Sequence, residues 1–186
     1  AELYAHPSHP YTLGLLGTVW WHKGDLAKAR EFMERALAIN ERRFGPDATE
    51  VASSLHNLGN VLWTSGRYDE ARKAFERSLA VREKRFGPES AEVASTLNSL
   101  GAIAYKEGDF QRAGELWERT LAIRDKALGP DHPLLAQTLN NLAIFYSYSG
   151  QPRRAVPLLE RVVAIQEKVL GPDHPDLASG LMNLGD

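Results

Sequence analysis

Apolar residues recur along this chain at intervals of three and four positions, and short polar segments that contain glycine separate the apolar runs. A representative run comprises Val51, Leu55, Leu58 and Leu62. This spacing places the apolar side chains on one face of a helix. No stretch shows the sustained two-residue alternation that is typical of strands. The pattern therefore predicts an all-α fold.

Glycine and proline mark where the helices end. After the run that closes at Leu62, Gly66 can take the left-handed conformation that caps a helix. A second periodic run begins at Tyr68 and ends at Phe86, before a glycine and a proline that cannot continue the helix. We therefore expect each such segment to form a hairpin of two helices.

The same landmarks recur every 42 residues, as four Gly-Pro pairs show: Gly45-Pro46, Gly87-Pro88, Gly129-Pro130 and Gly171-Pro172. A fixed period of this length indicates stacked repeats that contact only their neighbours. The predicted repeats are residues 6–45, 46–87, 88–129 and 130–171, with a partial fifth repeat at 172–186. Because the chain begins without an initiator Met and stops within a predicted helix, we expect it to be an excerpt of a longer protein.

Small and polar residues have structural explanations within this register. Alanines are expected where the two helices of a hairpin approach closely: Ala29, Ala71, Ala113 and Ala155. His132 and His174 precede the prolines that start new helices, so we expect them at or beside helix caps. Pro157 lies early in a second helix and predicts a local bend.

The first helices also carry a recurrent Leu-Gly pair: Leu16-Gly17, Leu58-Gly59, Leu100-Gly101 and Leu184-Gly185. The Leu-Gly pair, the recurrent alanines of the hairpins, and the aromatic residue or leucine that opens each second helix together resemble the tetratricopeptide repeat. Residues 121–133 and 138–143 resemble the 42-residue kinesin-light-chain subtype. The resemblance implies a right-handed superhelix whose inner surface is lined by the first helices and binds peptides. Ala143 departs from the pattern, where glycine is usual.

The composition and net charge of the chain argue against some classes of binding partner. Of 186 residues, 43% are hydrophobic and 25% are charged, and the formal net charge is -2. A chain with this charge has no bulk attraction to nucleic acid or to an anionic membrane. The chain contains no cysteine, which fits a reducing compartment. We therefore expect a cytoplasmic protein that binds neither nucleic acid nor membranes.

Motifs that would indicate an enzyme were sought without success. The sequence contains no glycine-rich phosphate loop, no His-Glu-x-x-His helix and no Gly-x-Ser-x-Gly turn. His6 and His9 lie close in sequence, but no carboxylate or thiol accompanies them, so a metal site there is the less favoured interpretation. We predict a non-catalytic protein with no cofactor and no metal.

Asparagines form the first group of candidate contacts. Asn60, Asn98 and Asn140 are expected to project from first helices into the groove, where amide groups can bind the backbone of an extended peptide. Asn57, Asn141 and Asn183 are expected to face the seam between helices. The alternative is that the asparagines bond to neighbouring helices or water.

Aromatic residues form the second group. Trp21, Trp63 and Tyr105 occupy equivalent positions and could provide an apolar track for a partner. The alternative, which we favour, is that they pack between helices. Trp20 and Trp117 are expected in the core.

Charge is sparse in the predicted groove. Lys106, His22 and His56 predict a mildly basic centre that would favour acidic peptides, and Tyr148 occupies the position equivalent to Lys106. A lysine-rich cradle for a C-terminal carboxylate is absent. The full candidate set is Trp21, His22, His56, Asn60, Trp63, Asn98, Tyr105, Lys106, Asn140 and Tyr148.

The sequence thus predicts a non-catalytic scaffold that binds a peptide or protein segment in a concave groove. One alternative is a structural module that self-associates end to end through its terminal helices. Another is a regulatory arm of a larger signalling protein or enzyme.

Overall fold

A computed structural model of the chain describes residues 9–171, which form eight α-helices and no strand. The chain divides into two compact units after Pro88. Unit 1 contains α1 (Pro10–His22), α2 (Leu26–Phe44), α3 (Thr49–Thr64) and α4 (Tyr68–Phe86), and unit 2 contains α5 (Ala91–Glu107), α6 (Phe110–Leu128), α7 (Pro133–Tyr148) and α8 (Pro152–Leu170). The predicted all-α class is confirmed. The predicted partial fifth repeat lies outside the described residues.

Each odd-numbered helix forms a hairpin with the even-numbered helix that follows it. A glycine with positive φ stands in each of the seven connections between the described helices, and Gly171, which follows α8, has the same conformation: the seven are Gly24, Gly45, Gly66, Gly87, Gly108, Gly129 and Gly150. Glycine occupies this left-handed region without the steric cost that a Cβ atom would impose. The predicted helix ends near Gly66 and at Gly87 are therefore confirmed.

The two helices of each hairpin approach closely at small residues. Ala29, Ala71 and Ala113 have no exposed surface, and Ala155 is 3% exposed. A larger side chain at these positions would separate the helix axes from the roughly 8–10 Å at which packed helices lie. The predicted structural role of the alanines is consistent with this burial.

A glycine in the first helix makes room for a large side chain of the second. A Cβ atom added to Gly101 would lie 2.5 Å from Trp117 Nε1, and one added to Gly59 would lie 2.6 Å from Phe75 Cε1. In the fourth hairpin Ala143 replaces the glycine, and the smaller Leu159 stands at the position equivalent to Trp117. The size of one residue thus compensates for the size of the other.

The helix starts also follow the sequence. The Nδ1 atom of His132 accepts a hydrogen bond from the backbone N–H of Leu134 at 3.2 Å, and His9 caps α1 in the same way. The predicted capping role of His132 is confirmed. His6 and His174 lie outside the described residues.

Two expectations about the interior need comment. Trp117 is 3% exposed, as predicted, but Trp20 is only half-buried, and the ammonium groups of Lys23 and Lys28 lie 5.1 and 4.1 Å from the centre of its ring. The expectation that Trp20 lies in the core is wrong. Helix α8 continues through Pro157 to its end at Leu170.

Candidate functional site

The odd-numbered helices, which are the first helices of the hairpins, expose apolar and short polar side chains. In α1, Tyr11 is 62% exposed, Leu15 50% and Val19 48%. In α7, Ile144 is 44% exposed and Tyr148 80%. We call the exposed side of these helices, treated separately in each unit, the first-helix face. Its exposed residues are Tyr11, Leu15, Val19, His22, Ser53, Asn57 and Thr64 in unit 1, and Lys106, Gln137, Ile144 and Tyr148 in unit 2; it also includes the half-buried Asn60, Asn140 and Asn141.

The exposed side of the second helices carries many ion pairs, beside exposed apolar side chains such as Phe44 and Val156. Arg35 lies 3.6 Å from Glu31, four residues earlier on α2, and Arg77 of α4 lies 2.6 Å from Glu41 of α2. Exposed pairs of this kind contribute little to stability. They do, however, leave that surface with charges that already have partners. Further pairs are Arg30–Glu34, Arg67–Glu70, Arg154–Glu118 and Arg161–Asp125.

A buried phenol extends this pairing in unit 2. Tyr146 donates a hydrogen bond to the carboxylate of Glu118, and the guanidinium of Arg154 lies 4.0 Å from the centre of the tyrosine ring. Burial, together with the hydrogen bond to Glu118, raises the pKa of Tyr146 to about 12. The phenol therefore stays protonated and remains a donor to Glu118.

The aromatic candidates at the ends of the first helices pack within the protein. Trp63 contacts Tyr68 with ring centres 4.9 Å apart, and Tyr105 contacts Phe110 at 5.2 Å. The indole N–H of Trp21 donates to the hydroxyl of Thr64 at 3.2 Å, which links α1 to α3. All three aromatic candidates are half-buried. These contacts support the packing interpretation of Trp21, Trp63 and Tyr105.

The structure contradicts the expected exposure of Asn98. Its side chain is buried, at 7% exposed, and its Oδ1 atom accepts a hydrogen bond from Asn141 Nδ2 at 3.3 Å. The pair joins α5 to α7. Asn98 therefore stabilises the packing of two first helices and offers no surface to a partner.

The other asparagines remain available to different degrees. Asn57, expected at the seam, is exposed, whereas Asn60 and Asn140 are half-buried. The Oδ1 atom of Asn140 is buried and accepts no hydrogen bond from the described residues. An unpaired buried acceptor costs free energy.

The structure also corrects the expectation for His56. This side chain packs against the ring of Phe75, with ring centres 5.3 Å apart. Burial, with a smaller contribution from the positive charge of Arg82, lowers the pKa of His56 from 6.5 to about 4. His56 is therefore neutral at pH 7 and adds no positive charge to the first-helix face.

Three candidates are exposed as expected: His22, Lys106 and Tyr148. The sequence analysis did not select Tyr11, Leu15 and Ile144. The available signal was the spacing of three and four residues along each first helix on the side opposite the core. That spacing connects Tyr11 with Leu15 and His22, and Ile144 with Tyr148.

A cavity of about 510 Å³ lies in unit 1 between α1, α2 and α3. Its apolar wall includes Leu15, Met33 and Ala36, and polar side chains of Asn40 and Ser54 also reach it. A cavity of this size is within the range of small-molecule sites. The sequence analysis did not predict it.

Other kinds of site were sought in the described part of the chain. Residues 9–171 contain no group of three or more His, Asp or Glu residues placed to hold a metal ion. No helix in the same range has both the length and the apolarity required to cross a membrane.

The fold and the repeat pattern together define the family. The family model described as "Tetratricopeptide repeat" matches residues 10–84 and 92–168. The chain belongs to the tetratricopeptide repeat family. Repeats of this type typically serve as scaffolds for contacts between proteins.

Solved structures identify the kind of repeat. The nearly identical TPR-like repeats of a putative kinesin light chain from Podosopora anserina are 29% identical, with a TM-score of 0.80, covering 97% of this chain and 85% of that chain. BtubC (BKLC) from P. vanneervenii is 30% identical, with a TM-score of 0.77, covering 89% of this chain and 66% of that chain. The array is thus similar to kinesin-light-chain repeats.

A more distant structure shares the fold alone. The apo form of RapI is 19% identical, with a TM-score of 0.75, and the match covers 86% of this chain and 56% of that chain. A search of curated proteins found no match.

Proposed function

We propose that this chain is a non-catalytic scaffold that binds a peptide or protein segment on the first-helix face. The observation that supports the proposal is the different chemistry of the two exposed surfaces. The second helices carry many paired charges beside exposed apolar side chains such as Phe44 and Val156, whereas the first helices α1 and α7 expose apolar side chains next to amides. Exposed apolar groups with adjacent polar groups are typical of surfaces that bind other proteins.

The first-helix face of unit 2 offers three kinds of contact. Ile144 and Tyr148 supply apolar surface, which gives affinity when a partner removes it from water. The half-buried amide of Asn140 lies beside this surface and can pair with the backbone of an extended segment. The ammonium group of Lys106 can attract a carboxylate. We therefore propose an acidic segment in an extended conformation as the partner.

In unit 1 the corresponding contacts would come from Leu15 and Tyr11, with the exposed amide of Asn57 and the exposed imidazole of His22. Trp21 and Trp63 would support this surface from behind, through the contacts to Thr64 and Tyr68. We propose a cytoplasmic setting, consistent with the absence of cysteine.

The test uses peptides selected from a random library displayed on phage, with affinities measured by isothermal titration calorimetry. Ile144→Ser should weaken binding about tenfold or more, because burial of an aliphatic side chain contributes about 1.5–3 kcal/mol. Val156→Ser is the matched control, since Val156 is exposed to a similar extent, 46% against 44% for Ile144, but lies on the second helix α8. Equal effects of the two substitutions would contradict the proposed surface.

Self-association is the alternative function, and the exposed apolar side chains of α1 favour it. Tyr11, Leu15 and Val19 could be covered by a second copy of the chain. Sedimentation velocity over a range of concentrations distinguishes the two proposals. A scaffold that binds a separate partner gives a constant mass, whereas a mass that rises with concentration and falls back in Leu15→Ser would support assembly.

A further inference from the structure

The cavity in unit 1 exists because three of its lining residues are smaller than their equivalents in unit 2. Positions 84 residues apart are equivalent, since each repeat has 42 residues. Gly14 corresponds to Asn98, Met33 to Trp117 and Asn40 to Arg124, and all three of the smaller residues line the cavity. The space is therefore encoded by specific residues of the first repeat.

The contacts in unit 2 show what the larger residues do. Asn98 bonds to Asn141 and so joins the two first helices, and Trp117 Nε1 donates to the backbone oxygen of Asn98 at 3.2 Å. In unit 1, Gly14 has no side chain to reach Asn57, the equivalent of Asn141, and a Cβ atom added to Gly14 would meet nothing within 4 Å. The first helices of unit 1 are left with a gap between them.

Asn40 keeps the hydrogen-bond pattern of its equivalent Arg124 but has a smaller side chain. Arg124 donates to the backbone oxygen of Leu134 at 2.7 Å and to the hydroxyl of Thr138 at 2.6 Å. Asn40 makes the equivalent bonds through Nδ2, to the backbone oxygen of Glu50 at 3.4 Å and to Ser54 Oγ at 2.8 Å. The shorter side chain thus holds α2 to α3 and leaves open the space that a guanidinium would fill.

Asn40 also supplies an acceptor to the cavity. The side chain is 8% exposed, and the hydrogen bonds that it makes both use Nδ2. Its Oδ1 atom therefore has no donor among the described residues. An amide oxygen on a cavity wall can accept a hydrogen bond from a donor on a ligand.

The other residues of the cavity wall indicate what kind of molecule the cavity can hold. Tyr11, Leu15, Met33 and Phe44 provide aromatic, aliphatic and thioether surface, and the methionine adapts its shape to a flat ring. The charged groups that reach the cavity are of opposite sign: Arg43, whose guanidinium lies 5.3 Å from the ring of Phe44, and Glu50, whose carboxylate accepts from Thr49. The cavity thus has no excess charge from these two residues.

We infer that this cavity is a binding site for a small, neutral aromatic molecule that carries an N–H or O–H donor, which it directs to Asn40 Oδ1. The cavity shares Tyr11, Leu15 and Asn57 with the first-helix face of unit 1, but none of its residues belongs to that face in unit 2, where peptide binding is tested separately. Its occupant is held by burial of its rings and oriented by one hydrogen bond.

The probe for the test is N-phenyl-1-naphthylamine, a neutral aromatic amine whose fluorescence rises when it leaves water. The wild-type chain should bind it saturably. Gly14→Asn/Asn40→Arg restores the unit 2 residues and should weaken binding at least about tenfold, because both the space and the acceptor are lost. Ala27→Asn, an exposed position on α2, adds an asparagine outside the cavity and should leave the affinity unchanged. Circular dichroism and thermal unfolding check that both variants fold.

Methyl NMR locates the bound probe. The chain has two methionines, Met33 in the cavity wall and Met182, so selective methyl labelling gives two signals, which Met33→Leu assigns. The Met33 signal should shift on titration with the probe. Equal affinity of the wild type and the double variant, or an unshifted Met33 methyl on saturation, would overturn the inference.

Discussion

Single residues decide which parts of the first helices are available to a partner. Asn98 and Asn140 occupy equivalent positions, yet Asn98 is buried against Asn141, whereas Asn140 retains a buried oxygen without a hydrogen bond from the described residues. His56, at the same position of the second repeat, packs on Phe75. The same repeat position therefore packs against a neighbouring side chain at His56 and at Asn98, whereas at Asn140 it has an acceptor without a hydrogen bond in the described part of the chain.

His56 makes a prediction about pH. Its pKa is about 4 in the folded chain, against 6.5 for an ordinary histidine. Between these values the unfolded chain binds a proton that the folded chain does not, so this contribution to stability is complete above pH 6.5 and is lost as the pH falls towards 4. His56→Asn should reduce the loss of stability between about pH 7 and about pH 5, as measured by urea unfolding. The same pH dependence in the variant and the wild type would contradict the assignment.

Lys106 makes a prediction about charge. If the partner is acidic, Lys106→Glu should weaken binding of a selected acidic peptide and reduce its dependence on salt, because the local attraction is replaced by repulsion. Lys73→Glu, on the second helix α4, makes the same change in net charge and serves as the control. Similar losses in both variants, measured by calorimetry at two salt concentrations, would show that only bulk charge matters.

At the scale of helices, pairs of residues of complementary size set how closely the hairpins pack. Gly101 faces Trp117 and Gly59 faces Phe75, whereas Gly17 faces the flexible side chain of Met33. The fourth hairpin combines Ala143 with Leu159. This series indicates that the first-helix residue and the second-helix residue must change together.

Gly101→Ala should destabilise the protein by about 1–3 kcal/mol, because the new methyl group overlaps the indole of Trp117. Gly17→Ala should cost less, since Met33 can move. In a Trp117→Leu background, which reproduces the Ala143 and Leu159 pair, Gly101→Ala should cost less than in the wild type. Denaturant unfolding of the double-mutant cycle measures this coupling, and strict additivity would argue against it.

At the scale of the whole molecule, the repeat period predicted the class of fold and the family. Gly-Pro pairs, alanines and the spacing of apolar residues predicted the hairpins, because each feature acts through local backbone geometry or through contact with a known neighbouring helix. The turn at Gly66 and the cap at His132 are examples. Local rules were sufficient for both.

The candidate site was predicted less well, for a physical reason. The period shows which residues are equivalent, but it does not give the rotation of each helix about its axis. A step of one residue rotates a helix position by about 100°, so Asn98 could be expected to face solvent when it faces Asn141. Trp20 was assigned to the core for the same reason, although it is only half-buried and lies beside Lys23 and Lys28.

The cavity in unit 1 also could not be predicted from the 42-residue period alone. Its presence depends on the coincidence of Gly14 on α1 with Met33 and Asn40, which lie seven residues apart on one face of α2. Each is an ordinary residue at its own position. Only the structure shows that these three smaller residues border the same cavity.

The most direct test of the account is hydroxyl-radical footprinting of the chain with and without a selected peptide. Tyr148, 80% exposed on the first helix α7, should lose reactivity when the peptide is bound, whereas Phe32 beneath Arg35 on the second helix α2 should not change. This result would place the partner on the first-helix face. Protection of Phe32 with unchanged oxidation of Tyr148 at saturating peptide would contradict the central claim.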